Sequence, residues 1–175
     1  MNVVSNAGPL IALGKLELTD LPFRLYGTIA IPEAVFTEVV VQGSESGAAD
    51  AERIQLAILR NQIRVVHLDE PAVRAEVRIA ALGKGEQQTL HLALETQADL
   101  VLMDDLLARK KAQQLGLAVK GTLGVLTEAF RRHLLNLQEY DFYMEAIIAH
   151  SDIWIDESLV RRAMEIVHST LRRGE

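Results

Sequence analysis

Residues 83–105 read GKGEQQTLHLALETQADLVLMDD, and this stretch decides the fold. A Gly-Lys-Gly turn opens a long helix at Gly85, with Leu90, Leu92 and Leu94 among its apolar positions. A continuous apolar run, Leu100–Met103, then ends abruptly on Asp104-Asp105. A short strand that is apolar throughout, rather than alternating, is the pattern of a parallel sheet covered on both faces by helices.

The same alternation continues outward in both directions. Upstream, Val3–Ser5 reads as a buried strand running into the turn Asn6-Ala7-Gly8-Pro9, and Pro9 suits the first turn of a helix. Thr28–Ile31 is a second strand, after which Pro32 opens a helix with Val35, Val39 and Val40 on one side. Gln42–Gly47 (QGSESG) reads as a loop, Ala48–Leu59 as an amphipathic helix, Ile63–Leu68 as a strand and Ala72–Ala81 as a helix. Downstream come a helix over Ala108–Leu115, a strand over Leu117–Val119, and three helices, Thr122–Arg132, Gln138–His150 and Asp156–Leu171, the last N-capped by Asp156. Strand–helix alternation predicts an α/β domain with a parallel sheet. Right-handed crossovers then bring every strand's C-terminal end to one edge, where open α/β sheets build their sites. Residues 1–135 form the expected α/β core and 136–175 a helical C-terminal extension of the same single domain.

Composition narrows the chemistry. The chain has 175 residues, 49% hydrophobic and 24% charged, with a formal net charge of −6 and no cysteine. A disulfide scaffold, a zinc–thiolate site and a thiol nucleophile are excluded. No apolar stretch approaches the ~20 residues of a membrane span, and the start, MNVVSNAGPL, lacks the basic and apolar regions of a secretory signal. A soluble, cytoplasmic protein is expected. The acidic balance argues against broad electrostatic binding of nucleic acid, although local basic clusters remain at Arg109-Lys110-Lys111, Arg131-Arg132-His133 and Arg172-Arg173.

Several catalytic signatures fail. QGSESG places Glu45 where a hydrolase elbow needs serine. Gly83-Lys84-Gly85 is not a phosphate-binding P-loop, and the five histidines form no HExxH or i,i+4 pair. What the topology does gather is oxygen. The first strand delivers Asn6, the later one Asp104 and Asp105, the second strand's helix carries Glu38, and the long helix starts at Glu86. Carboxylates held together repel one another unless a cation neutralises them, and hard oxygen donors suit Mg²⁺ or Mn²⁺. Each residue also has a plainer reading. Asp104-Asp105 and Glu86 suit helix N-caps, Glu38 a solvated helix face and Asn6 ordinary turn chemistry.

The ordered set VVSNAGPLIALGKL, IPEAVFTEV, GKGEQQTLHLALETQADLVLMDD, ARKKAQQLGLAVKGTLGVL and DIWIDESLVRRAM resembles PIN-domain proteins, nearest a prokaryotic branch beside the VapC-type toxins. The resemblance covers nearly the whole chain. It implies a three-layer α/β/α sandwich and an acidic cluster binding Mg²⁺ or Mn²⁺. It also implies a metal-dependent endoribonuclease acting on RNA, with an antitoxin protein and a homodimer as partners. By position, Asn6 stands where the family has its first aspartate. Glu38 matches the helix-borne glutamate, Glu86 the first acid of GExE, Asp105 the acid after the fourth strand with Asp104 beside it, and Thr122 a hydroxyl facing the site. Two positions depart from the pattern: Asn6 is an amide, and Gln88 stands where GExE has its second acid. The alternative is therefore a catalytically degenerate PIN-like module that binds RNA or a protein. A receiver-like domain is disfavoured by the late position of Asp104-Asp105, and a nucleotide-binding domain by the lack of a glycine-rich loop after the first strand.

Overall fold

Val3–Ser5 forms β1, at the centre of a five-stranded sheet whose pairings are all parallel. The other strands are β2 (Ile29–Pro32), β3 (Ile63–Val66), β4 (Leu100–Leu102) and β5 (Val119–Lys120), in the spatial order β3-β2-β1-β4-β5. The computed structural model describes residues 1–68, 77 and 80–174. The helix expected over Ala72–Ala81 therefore lies mostly outside the described residues.

Register explains the two cores. Val4 pairs with Ala30 on one side and Val101 on the other, so these three side chains share a face. They join Leu90, Leu92 and Ala93 of α6 (Lys84–Glu95) and Ala108 and Ala112 of α7 (Leu106–Gln114). The opposite face carries Ile31 and Ile63, packed on Ala7 and Leu10 of α1 (Ala7–Lys15) and on Ile54 and Ala57 of α5 (Ala49–Leu59). Two apolar layers on one parallel sheet make a three-layer α/β/α sandwich.

Three local features depart from the sequence reading. A short helix, α2 (Leu21–Tyr26), precedes β2. After β2 the chain runs through α3 (Glu33–Phe36), a π-helical turn (Thr37–Gln42) and α4 (Gly43–Glu45). The loop expected at Gln42–Gly47 is thus helical as far as Glu45. Gly43 is there for close packing rather than for turning, since a Cβ on it would lie 2.8 Å from the Ala51 Cβ.

Two compact units divide the chain, Met1–Gly121 and Thr122–Glu175. The second is helical: α8 (Thr122–Arg131), α9 (Leu137–Ala149) and α10 (Glu157–Arg172). Asn136 caps α9, accepting the Glu139 N–H at 2.9 Å, while the Glu139 carboxylate accepts the Asn136 N–H at 2.7 Å. Within this unit His168 Nε2 meets Asp141 Oδ1 at 2.8 Å, joining α10 to α9. Asp156 caps α10 as expected, accepting from the Ser158 N–H at 2.8 Å.

The contact of α1 with α5 gives a direct test. A Cβ on Gly14 would stand 2.8 Å from the Asp50 Cβ and 3.4 Å from its Cα, neither of which can swing aside. Gly14→Ala is expected to lose about 1–3 kcal/mol in urea unfolding, the cost of overpacking, despite alanine's better helix propensity. Equal or greater stability would show that the two helices can separate freely.

Candidate functional site

The spatial order reverses between β1 and β4, the place where an open parallel sheet leaves a crevice at its strand C-termini. Asn6 follows β1 there, and its backbone N–H donates to the Leu102 carbonyl of β4 at 2.9 Å. The pairing thus continues one residue past the strand. Asp104 and Asp105 follow β4 after Met103.

Asn6 is 8% exposed, and its side-chain Oδ1 is buried without a hydrogen-bond partner among the described residues. A buried acceptor left unpaired carries a desolvation cost that native structures avoid unless something else occupies it. Its surroundings are defined by Gly85, in the first turn of α6. A Cβ on that glycine would lie 3.2 Å from Glu38 Oε2, 3.5 Å from Val35 Cγ2 and 3.6 Å from Asn6 Oδ1. The absent side chain lets α6 approach, so the Asn6 amide and the Glu38 carboxylate both border the same glycine. Glu38 lies in the π-helical turn, a local widening often found at functional positions.

Glu86 and Asp105 complete the acidic set, and each also caps a helix. Glu86 Oε2 accepts the Gly83 N–H at 2.8 Å in the capping box of α6. Asp105 Oδ1 accepts the Ala108 N–H at 2.8 Å at the start of α7. Burial, then the neighbouring Glu86, raises the pKa of Glu38. Burial raises that of Glu86 as well; the Gly83 N–H opposes the rise and Asp105 adds to it. The three carboxylates therefore feel one another in sequence, Glu38 to Glu86 to Asp105.

Asp104 lies between Gly8 and Gly121. A Cβ on Gly121 would come 2.6 Å from Asp104 Oδ1 and 2.5 Å from Arg109 Nη1, and one on Gly8 would be 3.6 Å from Asp104 Oδ2. Arg109 also donates from Nη1 to the Met103 carbonyl at 3.1 Å. Asp104 thus shares its place with a guanidinium, a neighbour that the basic run after Asp105 hinted at. Thr122 is fully buried and is the first residue of the second unit. Gln88, at the second acid position of GExE, accepts the Ala34 N–H at 3.0 Å.

Among the described residues, no three His, Cys, Asp or Glu side chains form a ready cage for a metal ion. The donor set nevertheless fits a hard divalent cation in kind. It consists of oxygens alone, one of them a buried amide oxygen without a partner, and Mg²⁺ keeps several waters while taking only one or two carboxylates.

The raised pKa of Glu38 sets a pH dependence. Above the ordinary glutamate value of 4.5, the folded chain holds more protons at this site than the unfolded one. Stability therefore falls as pH rises through that window. Glu38→Gln removes the ionised form, so in chelator it should melt higher than wild type at pH 7.5, with the gain vanishing towards pH 4. A lower melting temperature at pH 7.5 would contradict this placement of Glu38.

No helix among the described residues is long and apolar enough to cross a membrane. No curated protein matches the sequence closely enough to compare. The family model of the PIN domain matches residues 2–169, in agreement with the parallel sheet and the acids at its edge: the chain belongs to the PIN-domain family.

Proposed function

We propose that the chain is a Mg²⁺- or Mn²⁺-dependent endoribonuclease, with Asn6, Glu38, Glu86 and Asp105 holding the cation. The observation that carries this reading is the buried, unpartnered Asn6 Oδ1 beside the Glu38 carboxylate. A bound cation would lower the pKa of a water and neutralise charge developing on the scissile phosphate. The chain's own residues prepare that chemistry. Glu86 and Asp105 each commit one oxygen to a helix N-terminus, which fixes their orientation before any substrate arrives. Glu38 adds a carboxylate whose ionised form is disfavoured and so gains from a cation.

Substrate binding draws on α7. Asp105 starts that helix, and Arg109, Lys110 and Lys111 follow on it, a cationic run for a phosphate backbone next to an acidic site. In this reading Asp104 balances Arg109 rather than ligating the metal. Thr122 stays a candidate only on the family pattern. The remaining parts of the proposal are a cytoplasmic toxin, an antitoxin partner and a homodimer, and these rest on the family likeness.

The rival reading, a module that binds RNA or protein without cutting, is favoured by the two amides, Asn6 and Gln88, and by the lack of a three-acid cage among the described residues. Asp105 separates the two. Asp105→Ala would also remove the α7 cap, at about 1 kcal/mol, whereas Asp105→Asn keeps an oxygen for the Ala108 N–H. Calorimetric Mn²⁺ titration of Asp105→Asn should show affinity reduced by at least the roughly 10–100-fold that loss of a mere outer-shell partner costs. Mn²⁺-dependent RNA cleavage should fall with it, at unchanged melting temperature. RNA retained equally in Mn²⁺ and in chelator, with no cleavage by either protein, would establish the binding module instead.

A further inference from the structure

Gln88 is 5% exposed and lies on α6 two residues beyond Glu86. Its side-chain oxygen accepts from the backbone N–H of Ala34 at 3.0 Å, across a sequence separation of 54. Ala34 is the second residue of α3, and the helical run that starts there carries Glu38. The residue ahead of that run is Pro32, which gives no side-chain cap. The acceptor normally supplied locally by Ser, Thr, Asp or Asn therefore comes from the helix that bears Glu86. One side chain bonds the head of the Glu38 segment to the Glu86 segment.

The position also explains the residue type. A glutamate at 88 would offer the same oxygen but would bury another negative charge on the helix that already carries Glu86. An amide caps Ala34 without that repulsion. Its oxygen, once committed to a backbone N–H, is not a ligand in waiting.

We propose that Gln88 is a positioning residue, a neutral cap supplied in trans that sets Glu38 against Glu86, and not the remnant of a lost acidic ligand. The proposal rests on the metal-centre reading above.

The test compares wild type, Gln88→Leu and Gln88→Glu by amide hydrogen exchange at Ala34 in chelator and by calorimetric Mn²⁺ titration. Gln88→Leu should speed Ala34 exchange and weaken Mn²⁺ binding, each by about tenfold or more, with the far-ultraviolet circular dichroism unchanged. Gln88→Glu should restore Ala34 protection and bind Mn²⁺ within about threefold of wild type. Mn²⁺ bound tenfold tighter by Gln88→Glu would overturn the proposal, because it would mark position 88 as a vacant ligand. Where Gln88→Leu does not fold, Gln88→Glu decides alone on the same two readouts. Unchanged Ala34 exchange and unchanged Mn²⁺ affinity in a folded Gln88→Leu overturn the positioning role while leaving the metal reading intact. A wild type that takes no Mn²⁺ fails the metal reading, and the positioning role with it.

Discussion

One backbone hydrogen bond, from the N–H of Asn6 to the carbonyl of Leu102 at 2.9 Å, carries the pairing of β1 and β4 into the candidate site. It continues the β1–β4 ladder past Ser5, whose register partner is Leu102, and holds Asn6 level with the start of the Met103-Asp104-Asp105 turn. β1 is paired on its other side to β2, so the segment that follows, with Glu38, leaves from the same edge. The parallel direction of all five strands makes that convergence compulsory. An antiparallel partner would send its C-terminal residues to the far end.

Once the segments meet, helix termini do the orienting. Glu86 and Asp105 look, taken one at a time, like ordinary N-terminal carboxylates, each satisfying a backbone N–H. Glu38 feels Glu86 and Glu86 feels Asp105, so each capping carboxylate also belongs to one run of interacting acids. The cost is electrostatic. Glu38 and Glu86 resist ionisation, and the folded chain carries that repulsion as stored destabilisation, a trade of stability for function that is common at active sites.

The sheet was legible from sequence because its strands are short, unbroken apolar runs, and β1 falls on Val3–Ser5 as read. That the segments of Asn6, Glu38, Glu86 and Asp105 come to one edge was likewise legible, since strand–helix alternation in a parallel sheet requires it. Other features depend on tertiary contacts that leave no periodic trace. The π-helical turn of Thr37–Gln42 is invisible to a 3.6-residue period. Gly43 reads as a loop residue, yet it is small because Ala51 packs on it. The guanidinium near Asp104 comes from Arg109, one turn further on, folding back onto the Met103 carbonyl. Gln88 looks like a missing acid until its bond to Ala34 is seen.

The central place of β1 has a consequence for how the chain matures. β1 precedes the other four described strands, but one of its two neighbours, β4, spans residues 100–102. An emerging polypeptide can therefore pair β1 with β2, and β2 with β3, early, yet it leaves one flank of β1 open until residue 102 has appeared. Asp105 comes three residues later still. Pairing across so wide a sequence gap is slow, and N-terminal segments meanwhile fold as they emerge. The oxygens at residues 6, 38, 86 and 105 are thus brought together late in synthesis, and a chain cut short before β4 carries β1, β2 and β3 without Asp105.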